Sequence, residues 1–366
     1  MNRNNLIALA AITLTVVIAA AVVVSKDRAP TSMSHELLFP ALVDNVNNAA
    51  TINLTSNRHK TILERDGETW YIANSDDYPA LFDKVRSLLI NLSGLRTLER
   101  KTGNPELYHH LNVRDPSQPD SNSVRVQVTD ADGKTLADVI LGKAHMSKAS
   151  NMQTGVYVRK PDAEHALLVE GRAPASAEKT EWFNPDILDI ASERISEVVI
   201  RHPDGETLHA VRNSPGGGFG LRNLPADRSI QSRTALNRFG SVLQRISARD
   251  IRALESFDFA GDTIETTVRT FDGLVVKVRS RSIEDRHYAN FRFSYDANAA
   301  EASDDDALDQ LVQAEGEASL AEQPLSVEAE ARDLDQRLSG WVYQIPSFKY
   351  DVLTAVLDDY TRVTDD

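Results

Sequence analysis

The sequence predicts an α+β protein with one N-terminal transmembrane helix. A duplicated, β-rich body follows, made mostly of antiparallel sheets with packed helices, and a third, partial strand-helix copy stands at the C-terminus. Three observations predict this. An uncharged apolar run occupies Leu6–Val24. Short alternating segments separated by Asp-Gly turns recur through the body. The order strand, turn, strand, aromatic strand, amphipathic helix appears twice, 149 to 154 residues apart when Trp70 is matched to Phe219 and Leu89 to Leu243.

Leu6–Val24 reads LIALAAITLTVVIAAAVVV, with Thr13 and Thr15 its only polar residues. At 1.5 Å per residue a helix of this length spans the ~30 Å hydrocarbon core of a bilayer. The run exceeds the usual apolar core of a cleaved signal peptide, and the Ala-x-Ala-like stretch Ala19-Ala20-Ala21 lies inside it. A retained anchor is therefore expected, with residues 1–5 as a short tail and 25–47 as a tether. Arg3 precedes the span and Lys26 and Arg28 follow it, so charge does not set the orientation.

In the first repeat, 48–172, Ala50–Leu54 and Thr61–Arg65 alternate as strands. Asp66-Gly67 turns into Thr69–Ala73, which carries Trp70. Pro79 opens a segment to Leu92 in which Phe82, Val85, Leu88, Leu89 and Leu92 keep the spacing of a buried helix face. In the second repeat, 173–366, Ile195–Arg201, Asp204-Gly205, Thr207–Arg212 and Gly216–Leu221 follow the same order, with Phe219 in the place of Trp70 and Asn223 in that of Asn74. A helix is expected over 234–246, with Leu236, Phe239, Leu243 and Ile246 inward. More strands follow each helix: Val124–Val128, Leu136–Leu141, Gly155–Arg159 and Ala166–Val169 in one, Ile264–Thr270, Leu274–Arg279 and Tyr288–Tyr295 in the other. The partial third copy is the strand from Trp341 and a helix over Ser347–Tyr360, with Trp341 and Pro346 in the parts of Trp70 and Pro79. The segment 172–179 (RAPASAEK) is the expected boundary between repeats. An aromatic that recurs at one place in a strand is expected to anchor the core, which assigns Trp70, Phe219 and Trp341 to packing.

The net charge of −14 is concentrated. Residues 296–335 hold 13 acids against Arg332 and carry −12, leaving about −2 for the remainder. With no aromatic and few aliphatics, this stretch is expected to be a solvated, partly helical insertion that is mobile and dispensable for folding. Asp304-Asp305-Asp306 lacks the alternating ligand pattern of a calcium loop.

Composition narrows the chemistry. At 41% hydrophobic and 26% charged the body is globular rather than disordered. Without cysteine there is no disulfide scaffold, thiolate zinc site or cysteine nucleophile. The acidic balance argues against nucleic acid as a partner. No His-Glu-x-x-His is present, and the adjacent His109-His110 point apart on a helix, as a solvated helix end would. Gly216-Gly217-Gly218-Phe219-Gly220 lacks the Lys-Ser/Thr of a phosphate loop and reads as a hairpin turn. No Gly-x-Ser-x-Gly elbow occurs. Catalytic, cofactor and metal residues are therefore assigned to none, and no cofactor is expected.

The single span, the repeated Trp-strand and helix units, and the closing Gly340-Trp341-Val342-Tyr343-Gln344-Ile345-Pro346-Ser347-Phe348-Lys349-Tyr350 resemble the domain-of-unknown-function 4340 family. The resemblance runs from Asn48 through nearly the whole chain and rests on structural motifs. It implies a bacterial protein held in the inner membrane by Leu6–Val24, its body facing the periplasm. It also implies partners in a permease and ATPase complex, since members are commonly encoded beside ABC-type transport systems related to gliding-motility components. The family brings no active site to carry over. The expected function is a non-catalytic accessory or scaffold protein. The alternatives are a periplasmic ligand- or glycan-recognition module, or a hydrolase with a dispersed site.

Overall fold

The computed structural model describes residues 35–146, 152–222, 224–297 and 326–364. The apolar run at 6–24, Asn223 and residues 298–325 of the acidic segment lie outside them. Among the described residues no helix is long and apolar enough to cross a membrane. Contacts divide the described chain into two units. The first takes the residues up to Ile72 and Pro79–Trp182, the second Ala73–Tyr78 and the residues from Phe183 onward.

The first unit contains α1 (Pro40–Asp44), β1 (Ala49–Thr55), β2 (Lys60–Asp66), β3 (Thr69–Ile72), α2 (Phe82–Ser93), β5 (Arg96–Arg100), α3 (Tyr108–Leu111), β6 (Val124–Asp130), β7 (Thr135–Met146), β8 (Gln153–Arg159) and β9 (Leu167–Glu170); the two-residue β4 is Tyr78–Pro79. Its sheet runs β4-β3-β2-β1-β6-β7-β8-β9-β5. From β3 to β5 every neighbour is antiparallel. α2 buries Val85, Leu88, Leu89 and Leu92, as its periodicity requires. Phe82, expected in that stripe, is 53% exposed because the helix starts there, one turn later than the expected opening at Pro79.

The second unit contains β10 (Asp186–Leu188), β11 (Ile195–Arg201), β12 (Thr207–Val211), β13 (Gly220–Leu221), β14 (Arg228–Ile230), α4 (Arg233–Leu236), β15 (Ile246–Ser247), β16 (Asp250–Ala253), β17 (Ile264–Thr270), β18 (Leu274–Ile283), β19 (Arg286–Tyr295), α5 (Val327–Leu338), β20 (Trp341–Ile345), α6 (Ser347–Leu353) and β21 (Thr361–Val363). Its main sheet runs β13-β12-β11-β17-β18-β19-β20-β16. That is the order of the first sheet strand for strand, from β3 to β5. The ladders agree in detail. Ile72 stands opposite Leu63, and Leu221 opposite Ala210, which matches Trp70, two residues before Ile72 on β3, to Phe219, the residue just before β13. Register also slips at equivalent places, between Ala49 and Thr51 on β1 and between Ile195 and Glu197 on β11.

Several expectations need correction. Residues 35–47 are no free tether, since Leu38, Phe39 and Leu42 are buried in the first unit. The stretch 172–179 closes the first unit rather than linking two: Thr61 Oγ1 donates to the carbonyl of Ala177 (2.7 Å), and Trp182 is buried. The helix expected over 234–246 is one short turn, α4, followed by a 3-10 turn at Asn237–Ser241. Gly240 sits where a Cβ would meet Ser192 Oγ at 2.7 Å, so close packing takes precedence over helix propensity. Leu236, Phe239, Leu243 and Ile246 are nevertheless fully buried. The strand expected over 216–221 is confined to Gly220–Leu221. The segment from Trp341 is not a third copy. β20 lies between β19 and β16, the place of β9 in the first sheet, so Trp341 is not the counterpart of Trp70. The helix after it ends at Leu353, and the chain returns through β21 to pair with β14.

Candidate functional site

The two units differ most between their penultimate strands. In the first, β8 reaches β9 through the short turn 160–166. In the second, residues 296–340 stand between β19 and β20, and they include α5. Residues 326–335 were expected in a solvated acidic insertion, yet they belong to a packed helix. Ala331, Leu334 and Leu338 form a buried stripe beneath the charged residues. Ser326 caps it by accepting the Ala329 N–H.

α5 lies along the part of β19 that β20 leaves unpaired. Along β19, β20 pairs with His287–Ala289, and beyond them Asp335 Oδ1 accepts the Phe293 N–H at 2.9 Å. Fully buried Asn290 donates to the carbonyls of Ser339 (2.9 Å) and Trp341 (2.7 Å), fixing where the helix ends and β20 begins. At the other end Arg194, 11% exposed, holds Glu330 with both guanidinium nitrogens (2.8 and 2.7 Å) and Asp272 through Nε (2.8 Å). Burial opposes the charge on Arg194. The bonds to Glu330 and the two carboxylates outweigh it, and its pKa lies above the usual arginine value.

Two cavities of about 450 Å³ flank α5 on different faces. One opens over Phe293, Tyr295, Glu328 and Arg332. The other lies between α5 and the β10 segment, with Leu188, Ile190 and Leu334 in its wall and Asp186, Arg245 and Arg337 among its polar groups. Lys349 on α6 is buried nearby and donates to the carbonyl of Ser241 (2.6 Å). Burial, then Arg245, pushes its pKa below the ordinary 10.5, while Asp189 opposes the shift. Tyr343 is fully buried, and its hydroxyl is pushed up by burial and by Tyr78.

The residues weighed in the sequence fall as follows. Trp70 and Phe219 are each 4% exposed and serve the two cores. Phe219 packs near Phe239 (6.3 Å between centroids) and under the Arg212 guanidinium (4.9 Å). Trp341 is half-buried and meets Tyr78 edge-on at 4.8 Å, so it anchors the core less completely than its strand pattern suggests. His109 and His110 are exposed on α3, with His109 Nδ1 2.7 Å from the Glu106 carbonyl. Gly216 takes φ +71 in the turn that leads to β13. Asp304–Asp306 lie outside the described residues. Among those described, no group of three or more His, Asp or Glu side chains is placed to hold a metal ion. The cavity beside β10 escaped sequence reading because its walls come from three distant stretches, 186–190, 245 and 330–337.

No curated protein and no solved structure matches the chain. A family model described as Domain of unknown function (DUF4340) matches residues 70–273, more than half of the sequence. The match runs from the Trp70 strand to the β17–β18 turn. The closing segment 340–350, which carries part of the resemblance, falls beyond it. On that match the chain belongs to the DUF4340 family.

Proposed function

We propose that this protein is a non-catalytic accessory or scaffold subunit, anchored in a bacterial inner membrane by residues 6–24. Its body faces the periplasm, beside the permease and ATPase of an ABC-type transport system of gliding-motility type. The burial of Trp70 and Phe219 carries this reading against a recognition module. Large rings that bind glycan or peptide must reach solvent, and the repeated ones here are spent on packing two matching sheets. The apolar run at 6–24 supports the anchor. The partners rest on the family's usual genetic setting.

Protease added to intact spheroplasts tests the topology. Digestion of the body without lysis is expected. A body protected until lysis, or recovered in the soluble fraction with residues 6–24 removed, would count against the anchored, periplasmic arrangement.

A further inference from the structure

The two units carry one helical segment with different outer surfaces. Buried Val85, Leu88, Leu92 and Leu95 align with buried Leu236, Phe239, Leu243 and Ile246 at a constant difference of 151 in residue number. The inward side is therefore apolar in both units. The outward side is not. Phe82 and Ile90, each 53% exposed, stand with exposed Arg86 at i, i+4 and i+8 along one side of α2. At the same spacing the second unit has Arg233, Asn237 and Ser241, of which Arg233 and Asn237 are exposed. The fold itself thus has no need of large apolar side chains at 82 and 90.

α1, which packs against α2 and buries Leu42, adds a third exposed apolar side chain, Val43 at 40%. The stretch leading into α1 is fixed beside the C-terminal end of α2. The Leu38 N–H donates to the Leu95 carbonyl (2.8 Å), and the Glu36 carbonyl accepts the Thr97 N–H (2.9 Å). Residues 25–34 alone separate His35 from the apolar run that ends at Val24. Ten residues reach at most roughly 36 Å when fully extended. Ile90 lies five residues before Leu95, and Phe82 about 12 Å further along the helix. A span through Leu6–Val24 therefore holds this end of α2 within a short tether of the bilayer surface.

We infer that the Phe82–Ile90 side of α2, with Val43 of α1, rests on the surface of the membrane that anchors the chain, its apolar side chains entering the boundary between headgroups and acyl chains. The inference rests on the anchored reading above. Apolar area carries the contact. Asp44 and Asp83 adjoin Val43 and Phe82 in sequence and offset Arg86, so charge does not draw the patch to an anionic surface. Arg86 instead lays its stem between the two apolar side chains and turns its guanidinium to lipid phosphate. Three side chains make a small patch for interfacial binding by themselves. The tether compensates by keeping them at high effective concentration near lipid.

The chain has no cysteine, so a single introduced cysteine carries a nitroxide at one known place. Thr15→Cys, Arg86→Cys and Asn237→Cys are each labelled in the full chain, one chain per phosphatidylcholine nanodisc. Power-saturation EPR then compares collisions with oxygen, which enters lipid, and with a water-soluble nickel complex. The label at 86 should lie at the headgroup boundary, about 5–10 Å deep, with 15 deeper and 237 in water. Adding Phe82→Gln and Ile90→Gln should move the label at 86 into water. The melting temperature should hold, because both side chains are exposed and glutamine suits a helix. A label at 86 in water while 15 stays in lipid would overturn the inference and leave the anchor standing. Labels at both places in water would overturn the two together. A label at 86 shielded from oxygen and nickel alike would mean a protein contact in place of lipid. Unchanged depth in the glutamine variant would also refute the inference.

Discussion

Replacing Glu330 by alanine should destabilise the second unit by about 2–3 kcal/mol. Glu330 supplies two of the three charge-assisted bonds on Arg194, whose side chain is 11% exposed. Leaving a buried charge unpaired costs about 3–5 kcal/mol, and a single hydrogen bond to a charged group contributes about 1.5–3 kcal/mol. Glu330 itself is 28% exposed, so water reaches the vacated site, and Asp272 still holds Nε; both lower the cost from the fully buried figure. For a domain of this size the loss corresponds to about 4–12 °C in melting temperature. Urea unfolding of a chain lacking residues 1–34, at low salt and at 0.5 M NaCl (roughly a Debye length of 4 Å), reads the difference. A buried pair should keep most of its effect in salt. The double replacement of Arg194 and Glu330 by methionine should cost less than the two single replacements together, because neither charge is then stranded. A change below about 0.5 kcal/mol, or one that disappears in salt, would place the pair among ordinary surface contacts and refute the integral role of α5.

Trp70→Ala should cost about 3–5 kcal/mol in the same assay, and half-buried Trp341→Ala distinctly less; equal losses would contradict the burial difference. Two deletions, 300–325 and 300–328, should differ by about 0.5–2 kcal/mol, because the longer one removes the Ser326 cap and the first turn of α5. Identical unfolding curves would show that the cap contributes nothing. Burial raises the Tyr343 hydroxyl above its ordinary 10.0, so its contribution is complete below pH 10 and lost as pH climbs towards the folded-state value. Tyr343→Phe should therefore soften the fall in stability above about pH 10, read from urea midpoints between about pH 7 and 12; a decline as steep as in the parent would exclude Tyr343 as its source.

The strands of the first unit were legible because local signals and long-range pairing agree there. β1, β2 and β3 alternate, and Asp66-Gly67 makes a tight turn between two of them. α2 was legible from its apolar stripe. β5 and β16 were not, since Arg96–Arg100 and Asp250–Ala253 are charged edge strands whose position depends on β9 and β20. Trp341–Ile345 has the local look of β3, yet pairing with β19 and β16 decides where it lies. α5 was hidden by its charge. Its stripe is only Ala331, Leu334 and Leu338, too sparse to stand out among the seven charged or amide side chains of the helix. The cavity beside it could not be read at all, because nothing in the local sequence says that Arg245 and Leu334 share a wall.

The proposed role is service in a membrane complex rather than action alone. Affinity capture of the full-length chain from gently solubilised bacterial membranes, followed by identification of the bound proteins, tests it most directly. A multi-span permease and a nucleotide-binding ATPase are expected to co-purify in fixed proportion and to be lost when residues 1–34 are deleted. A chain that leaves the membrane fraction by itself, or is captured without either subunit, would contradict it.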